Sequence, residues 1–185
     1  MKNLTRRGFI ATASATTLTA CAGDGRVTGS ADQIDTHVAV ALEEMYTTFP
    51  GSREFASRAA GMLVVPNVTK AGLFVAGSYG EGALMIGGAT VEYYSFASAS
   101  FGLQIGAQQS RQVLFFMTTD VLRDFRTSDG FELGVDAEVA VQDEGVSIGI
   151  SSTTSNKPIL GIVFGQRGFL AGASLEGAKY SRLIR

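Results

Sequence analysis

Phe131-Glu132-Leu133-Gly134-Val135-Asp136-Ala137-Glu138-Val139-Ala140-Val141-Gln142 alternates between two kinds of residue. Phe131, Leu133, Val135, Ala137, Val139 and Val141 fall on one side. Glu132, Gly134, Asp136, Glu138, Ala140 and Gln142 fall on the other. Successive strand side chains point to opposite faces, so the pattern predicts a strand with one dry face and one wet, acidic face. Asp143-Glu144-Gly145 predicts a turn, followed by a strand carrying Val146, Ile148 and Ile150.

Working outward, Val113 to Met117 is apolar at every position, the pattern of a strand buried on both faces. Thr118 or Thr119 then caps a short helix, Asp120 to Arg126, closed by Asp129-Gly130. Upstream, Val91 to Gln104 is rich in Tyr, Phe and Ser and predicts a strand. Met62 to Val65, Ala71 to Ser78 and Ala83 to Ile86 predict three more. Tyr79-Gly80-Glu81-Gly82 forms a hairpin turn between the last two, and Gly87-Gly88 a further turn. Downstream, Ile159 to Phe164, a turn at Gln166-Arg167-Gly168, and Phe169 to Leu175 predict a final hairpin.

The period changes near the N-terminal end of this region. Ser30 and Gln33 have capping-box spacing. Ile34, Val38, Leu42, Met45 and Phe49 follow at helical spacing, with Asp32, Asp35, Glu43 and Glu44 on the opposite face. Membrane-surface helices carry Lys and Arg on their polar face, so this acidic helix is expected to pack on the domain. Pro50-Gly51 ends it, and Ser52 caps a second helix over about 53–60. The expected class is α+β: a curved, mostly antiparallel sheet or barrel of seven to eight strands, with two N-terminal helices and one short internal helix.

Composition narrows the function. The chain has 185 residues, 45% hydrophobic and 17% charged, which suits one domain with its own core. No run of about 20 apolar residues occurs, so a polytopic membrane protein is excluded. Glycine stands at 23 residues against 3 prolines, well above the usual share of about 7% and in keeping with a bent, turn-rich sheet. A single Cys and a single His leave no intramolecular disulfide and no set of three or four ligands for a zinc site. No catalytic residue, metal site or cofactor is expected, and the protein is read as non-enzymatic.

Residues 1–20 read as a targeting segment. Lys2, Arg6 and Arg7 form a positive region, and Thr5-Arg6-Arg7-Gly8-Phe9-Ile10 resembles a twin-arginine export signal. Leu18-Thr19-Ala20-Cys21 resembles a lipobox, with Cys21 as the lipid attachment site. Ala22 follows, and by resemblance to lipoproteins of two-membrane bacteria the absence of Asp there favours the outer membrane, facing the periplasm. Residues 21–30 are small, polar and Gly-rich and read as a tether; residues 31–185 form the domain. Loss of Lys2, Arg6 and Arg7 takes the 15 basic residues to 12 against 17 acidic ones, a net charge of −5. An acidic domain without a basic run argues against nucleic acid and against simple adhesion to anionic lipid.

Five segments, read in order, resemble the SYLF domain family. They are Lys70-Ala71-Gly72; Gly77-Ser78-Tyr79-Gly80-Glu81-Gly82; Gly102-Leu103-Gln104-Ile105-Gly106-Ala107-Gln108; Leu133-Gly134-Val135-Asp136-Ala137; and Gly168-Phe169-Leu170-Ala171-Gly172-Ala173-Ser174-Leu175-Glu176-Gly177. The resemblance implies a lipid-binding module whose partner is membrane phospholipid. Eukaryotic members of the family also bind actin. Their SH3 or FYVE partner domain and basic N-terminal helix have no counterpart in this sequence, so actin binding is not carried over. An alternative reading is a non-enzymatic module docking another envelope protein.

Individual residues are weighed on that basis. Lys70 reads equally as a point charge for a phosphate headgroup and as a solvated loop lysine. Arg111 and Lys179 are weaker headgroup candidates. Tyr93, Tyr94 and Phe96 line an apolar cleft or, more commonly for such residues, belong to the core. Asp136 and Glu138 read as a solvated strand face. His37 reads as a helix-surface residue, and Gly77-x-x-Gly80-x-Gly82 as a hairpin turn, not a phosphate loop.

Overall fold

One hairpin dominates the computed structural model, which describes residues 29–132, 137–141, 157–168 and 177–185. Its strands are β1 (Gly61–Ile86) and β2 (Ala89–Phe116), paired from Ile86↔Ala89 back to Gly61↔Phe116. Gly87 and Gly88 form the connection with φ of 59° and 85°. Two successive positive φ values suit the tight turn whose twist matches the strands, and glycine reaches them without a Cβ clash.

The three strands and the hairpin turn expected between residues 62 and 86 are a single strand. Tyr79-Gly80-Glu81-Gly82 lies inside β1, where Tyr79 pairs with Ala97 and Gly82 with Tyr94. Its glycines serve a close approach. A Cβ on Gly80 would come within 2.6 Å of the Asn67 carbonyl oxygen, and one on Gly82 would overlap that of Val64. β1 curls so tightly that its second half packs over its own beginning. Breaks in register at 65/68, 73/75 and 84/85 accommodate the bend.

β2 is the centre of the sheet. β1 lies along one edge of it. Along the other, residues 93–97 pair with β6 (Lys179–Leu183) and residues 108–116 with β5 (Ile159–Gly168). β3 (Phe131–Glu132) pairs with β6, and β4 (Ala137–Val141) runs parallel to β5. The order is therefore β3-β6-β2-β5-β4, with β1 on β2, and all pairs but one are antiparallel. The α+β class with a curved, mostly antiparallel sheet holds, and six of its strands lie among the described residues.

Of the alternating stretch 131–142, residues 131–132 and 137–141 are described and both are strand, whereas 133–136 and 142 lie outside the described residues. Residues 131–132 pair with β6 and residues 137–141 with β5, two strands that lie along the same edge of β2 at different ends of it. A period of two reports which face a residue takes but not which neighbour it pairs with, so it carries no warning of such a change of partner. β5 also runs through Gln166-Arg167-Gly168, where a turn was expected; a register shift opposite, between Gln109 and Arg111, absorbs the bend. The expected turn at 143–145 and strands at 146–150 and 169–175 lie outside the described residues, while β6 had no sequence forecast.

A helix layer covers each face of the central strands. α1 (Ala31–Thr48) opens with the expected capping box, in which the Ser30 hydroxyl accepts from the Gln33 amide and the Gln33 side chain accepts from the Ser30 amide. It buries Ile34, Val38, Ala41 and Met45 against Val113, Phe115, Leu160, Ile162 and Phe164. α3 (Thr119–Thr127), capped by Thr118, buries Leu122 and Phe125 on the other face against Leu114, Phe116, Tyr94 and Tyr180. The Phe125 ring lies 4.6 Å from both Tyr94 and Phe116. Residues 113–116 are thus completely enclosed, as their unbroken apolar character predicts. α2 (Ser52–Arg58) starts one residue earlier than expected, and Ser52 sits inside it, donating its hydroxyl to the Phe49 carbonyl instead of capping.

Candidate functional site

The three headgroup candidates are not brought to one place. Lys70 is half-buried on β1 opposite Gln108, and Arg111 lies three residues further along β2. Arg111 pairs at 2.6 Å with Glu44 of α1, which ties the helix to the sheet. Lys179 is exposed on β6 opposite Ala97, at the other end of β2, and its aliphatic stem lies over Gly130. Arg6, Arg7 and Cys21 lie outside the described residues, as do Asp136 and the side chain of Glu138. Tyr94 and Phe96 are core residues. Tyr93 is half-buried and donates to Asp35 of α1 at 2.9 Å. His37 is exposed on α1, at the rim of the cleft described next.

Two clefts and one bare surface stand out. The first cleft, about 300 Å³, lies between the start of α1 and β1. At its floor Glu81 is buried, accepts from the Tyr79 hydroxyl at 2.8 Å, and pairs with Arg185 at 2.5 Å. Arg185 also donates to the Gly29 carbonyl, so the start of the described chain is held beside Tyr79.

The bare surface begins there. Residues 71–80 and 93–110 contain no Asp, Glu, Lys or Arg. Val75, Gly77 and Tyr79 of β1 stand directly beside Phe101, Ala99 and Ala97 of β2. Val75 is 51% exposed and Tyr79 42%, and Ala97 and Ala99 are exposed as well. Among the described residues, β2 positions 98–107 pair only with β1. Val75, Gly77, Tyr79, Ala97 and Ala99 thus form an uncharged ribbon of small and apolar residues facing outward. Sequence reading counted these residues as strands but missed that the run had lost its charges. That count is available from the sequence; the exposure is not.

The second cleft, about 390 Å³, lies beside α3 on the other face. Its floor is the carboxylate of Glu92, only 7% exposed. Arg126 donates to it twice, from Nε at 3.1 Å and from Nη2 at 2.9 Å. Arg182 reaches it from β6 at 3.1 Å, and the Tyr94 hydroxyl donates at 2.9 Å. The hydrogen bonds from Arg126 hold the Glu92 carboxyl below its ordinary range; burial opposes this, while Tyr94 and the Arg182 charge reinforce it. Burial, with the hydrogen bond to Glu92, pushes the Tyr94 hydroxyl well above the usual phenol range. Arg123 lines the same cleft, with Asp120 and Asp124 on its outer side. None of these four charged residues was singled out from sequence. They come from β2, α3 and β6, and no local motif links them.

Among the described residues no helix is long and apolar enough to cross a membrane. Residues 97–182 match the family Ysc84, described as Las17-binding protein actin regulator. The match takes in most of β2, the whole of α3, β3, β4 and β5, and most of β6. The segments at Lys70 and Gly77–Gly82 lie outside it, as do α1 and α2. No curated protein matches the chain.

Proposed function

With residues 97–182 as a Ysc84-type (SYLF) domain, a family of lipid-binding or actin-related modules, we propose that this protein is an envelope-anchored lipoprotein whose domain binds phospholipid without transforming it. The observation that carries this reading is the uncharged ribbon. Bringing strands against a bilayer costs little where no charge must be desolvated, and several kcal/mol per ion where one must. Exposed Val75 and Tyr79 offer an apolar and an amphipathic contact to the interface.

The position of Gly29, where the described residues begin, supports the same arrangement. Gly29 sits beside Tyr79 at one end of the ribbon, eight positions from Cys21. At about 3.3–3.6 Å per residue, that tether spans up to roughly 29 Å. A lipid on Cys21 would therefore enter the bilayer that the ribbon faces. Export follows from the twin-arginine-like segment, and outer-membrane placement from Ala22 after the lipidated cysteine.

Flotation tests the binding. The full-length Cys21→Ala protein, which carries no acyl anchor, is mixed with phosphatidylglycerol/phosphatidylethanolamine vesicles. Co-flotation is the expected result. Protein left entirely in the dense fractions would sink the lipid-binding reading and favour the protein-docking one, which the description of the matched family makes the natural rival. The intact mass of the native protein tests the anchor: it should correspond to a chain beginning at an acylated Cys21.

A further inference from the structure

The arginine cleft beside α3 has more charge than its own architecture uses. Arg123, Arg126 and Arg182 face it, and Glu92 is the one acid in its lining. Within the lining alone that leaves two positive charges beyond the one that Glu92 balances; Asp120 and Asp124, outside the lining, pair with Arg123. Glu92 is buried and receives both Arg126 and Arg182 at the same oxygen, Oε1, at 2.9 and 3.1 Å. One carboxylate thus fixes two guanidinium groups side by side while neutralising only one of them. Arg126 spends Nε and Nη2 on this contact and keeps Nη1; Arg182 spends Nη2 and keeps Nη1 and Nε.

Arg123 completes the set from one turn earlier on α3. Its partners Asp120 and Asp124, at 3.2 and 3.6 Å, are all largely exposed pairs in water, of the kind worth little. Exchange of such a contact for a bound anion costs correspondingly little. Leu122 provides an apolar wall.

From this geometry we infer that the Glu92–Arg126–Arg182–Arg123 cleft is a binding site for a terminal phosphate group: inorganic phosphate or a phosphomonoester. A phosphomonoester carries about −1.5 to −2 charges near neutral pH and three acceptor oxygens. Those figures match the surplus charge and the three guanidinium groups. Arginine forks bind phosphate oxygens with two parallel donors, in a way a lysine point charge does not. A phosphodiester, with one charge and two free oxygens, fills the site less well. Glu92 acts as a positioning residue: it holds the donors in place before the ligand arrives. That the phosphate belongs to a lipid headgroup rests on the lipid-binding reading above; its recognition as a phosphate does not.

Isothermal titration of the full-length Cys21→Ala protein with inorganic phosphate, at constant ionic strength in chloride, tests the site. Saturable 1:1 binding is expected. The Arg123→Gln/Arg182→Gln double variant should bind at least tenfold more weakly, since each charge-assisted contact to phosphate is among the stronger hydrogen bonds. Both side chains are more than half exposed, and an unchanged far-UV spectrum would verify the fold. Arg123→Gln alone, which leaves Glu92 untouched, should weaken binding by a smaller factor. Absence of phosphate binding to the parent protein, or equal binding by the double variant, overturns the inference.

Vesicles separate the two sources of the phosphate. Phosphatidic acid presents a phosphomonoester and phosphatidylglycerol a diester. If the parent prefers phosphatidic acid and the double variant loses that preference, the ligand is a headgroup. If inorganic phosphate binds and no vesicle does, the site stands and the lipid reading falls. If vesicles bind equally well with and without the arginines while inorganic phosphate binding needs them, the lipid reading and the site both stand, and the site's phosphate is not the bilayer headgroup.

Discussion

The two halves of β2 have similar apolar character and opposite surroundings. Residues 113–116 are fully buried, between α1 on one face and α3 on the other. At 97 and 99, small uncharged residues of the same strand look outward beside Tyr79 and Gly77. Hydrophobicity alone does not separate them. What separates them, among the described residues, is whether a helix lies overhead. Side-chain size agrees with the outcome: Leu and Phe fill the layer between helices, whereas Ala, Ser and Gly leave the ribbon flat. A strand can therefore stabilise the domain along one part and remain open for an external contact along another.

The largest expected effect comes from breaking the enclosed half. Phe116→Ala removes a ring packed on Phe125 and should destabilise the protein by about 3–5 kcal/mol, read as a fall in the midpoint of denaturant unfolding at unchanged slope. The curl that separates the two regions depends on the missing side chain at residue 82. Gly82→Ala places a Cβ against the Val64 carbonyl and should cost about 1–3 kcal/mol by the same measurement.

Glu92→Gln sharpens the comparison by loosening the α3 side alone, with an expected loss of about 1–3 kcal/mol near neutral pH. Its pH dependence has a definite sign. The folded-state carboxyl lies below its ordinary value of 4.5, so its stabilisation is full above that value. It is lost as pH falls from there through the lower folded-state value. Part of the acid-side loss of stability should therefore disappear in Glu92→Gln, as followed by thermal unfolding between pH 3 and 6.

The smallest effect on stability should come from the open half. Ala99→Asp puts a charge on the exposed ribbon and should cost less than about 1 kcal/mol. It should nevertheless abolish flotation with vesicles, because the carboxylate would have to be desolvated at the interface. A folded Ala99→Asp protein that floats normally would remove the ribbon from the membrane contact.

Much of this molecule was legible in its sequence. Local rules read the capping box at Ser30 and Gln33, the α1 stripe, the Thr118 cap, the Gly87-Gly88 turn and the enclosed run at 113–116. Each depends on residues within a few positions of one another. The misreadings share one cause. Gly80 and Gly82 signal a turn by local rules, but they are there because distant residues 64 and 67 press against them. The stretch 131–142 has one period and two sets of partners. β6 is short and without strong alternation, and takes its place by pairing with a strand some eighty residues earlier. The basic residues picked from family segments, Lys70, Arg111 and Lys179, did not converge.

Sequence alone determined the class of fold, the charge-free runs and the shortage of His and Cys as metal ligands, because composition and spacing are properties of the chain itself. Tertiary structure decided which uncharged residues stayed uncovered, and it gathered Glu92, Arg123, Arg126 and Arg182 from three elements into one cleft. Convergence of that kind is set by strand order and register, which depend on the free energy of the whole packed sheet and leave no local spacing to read.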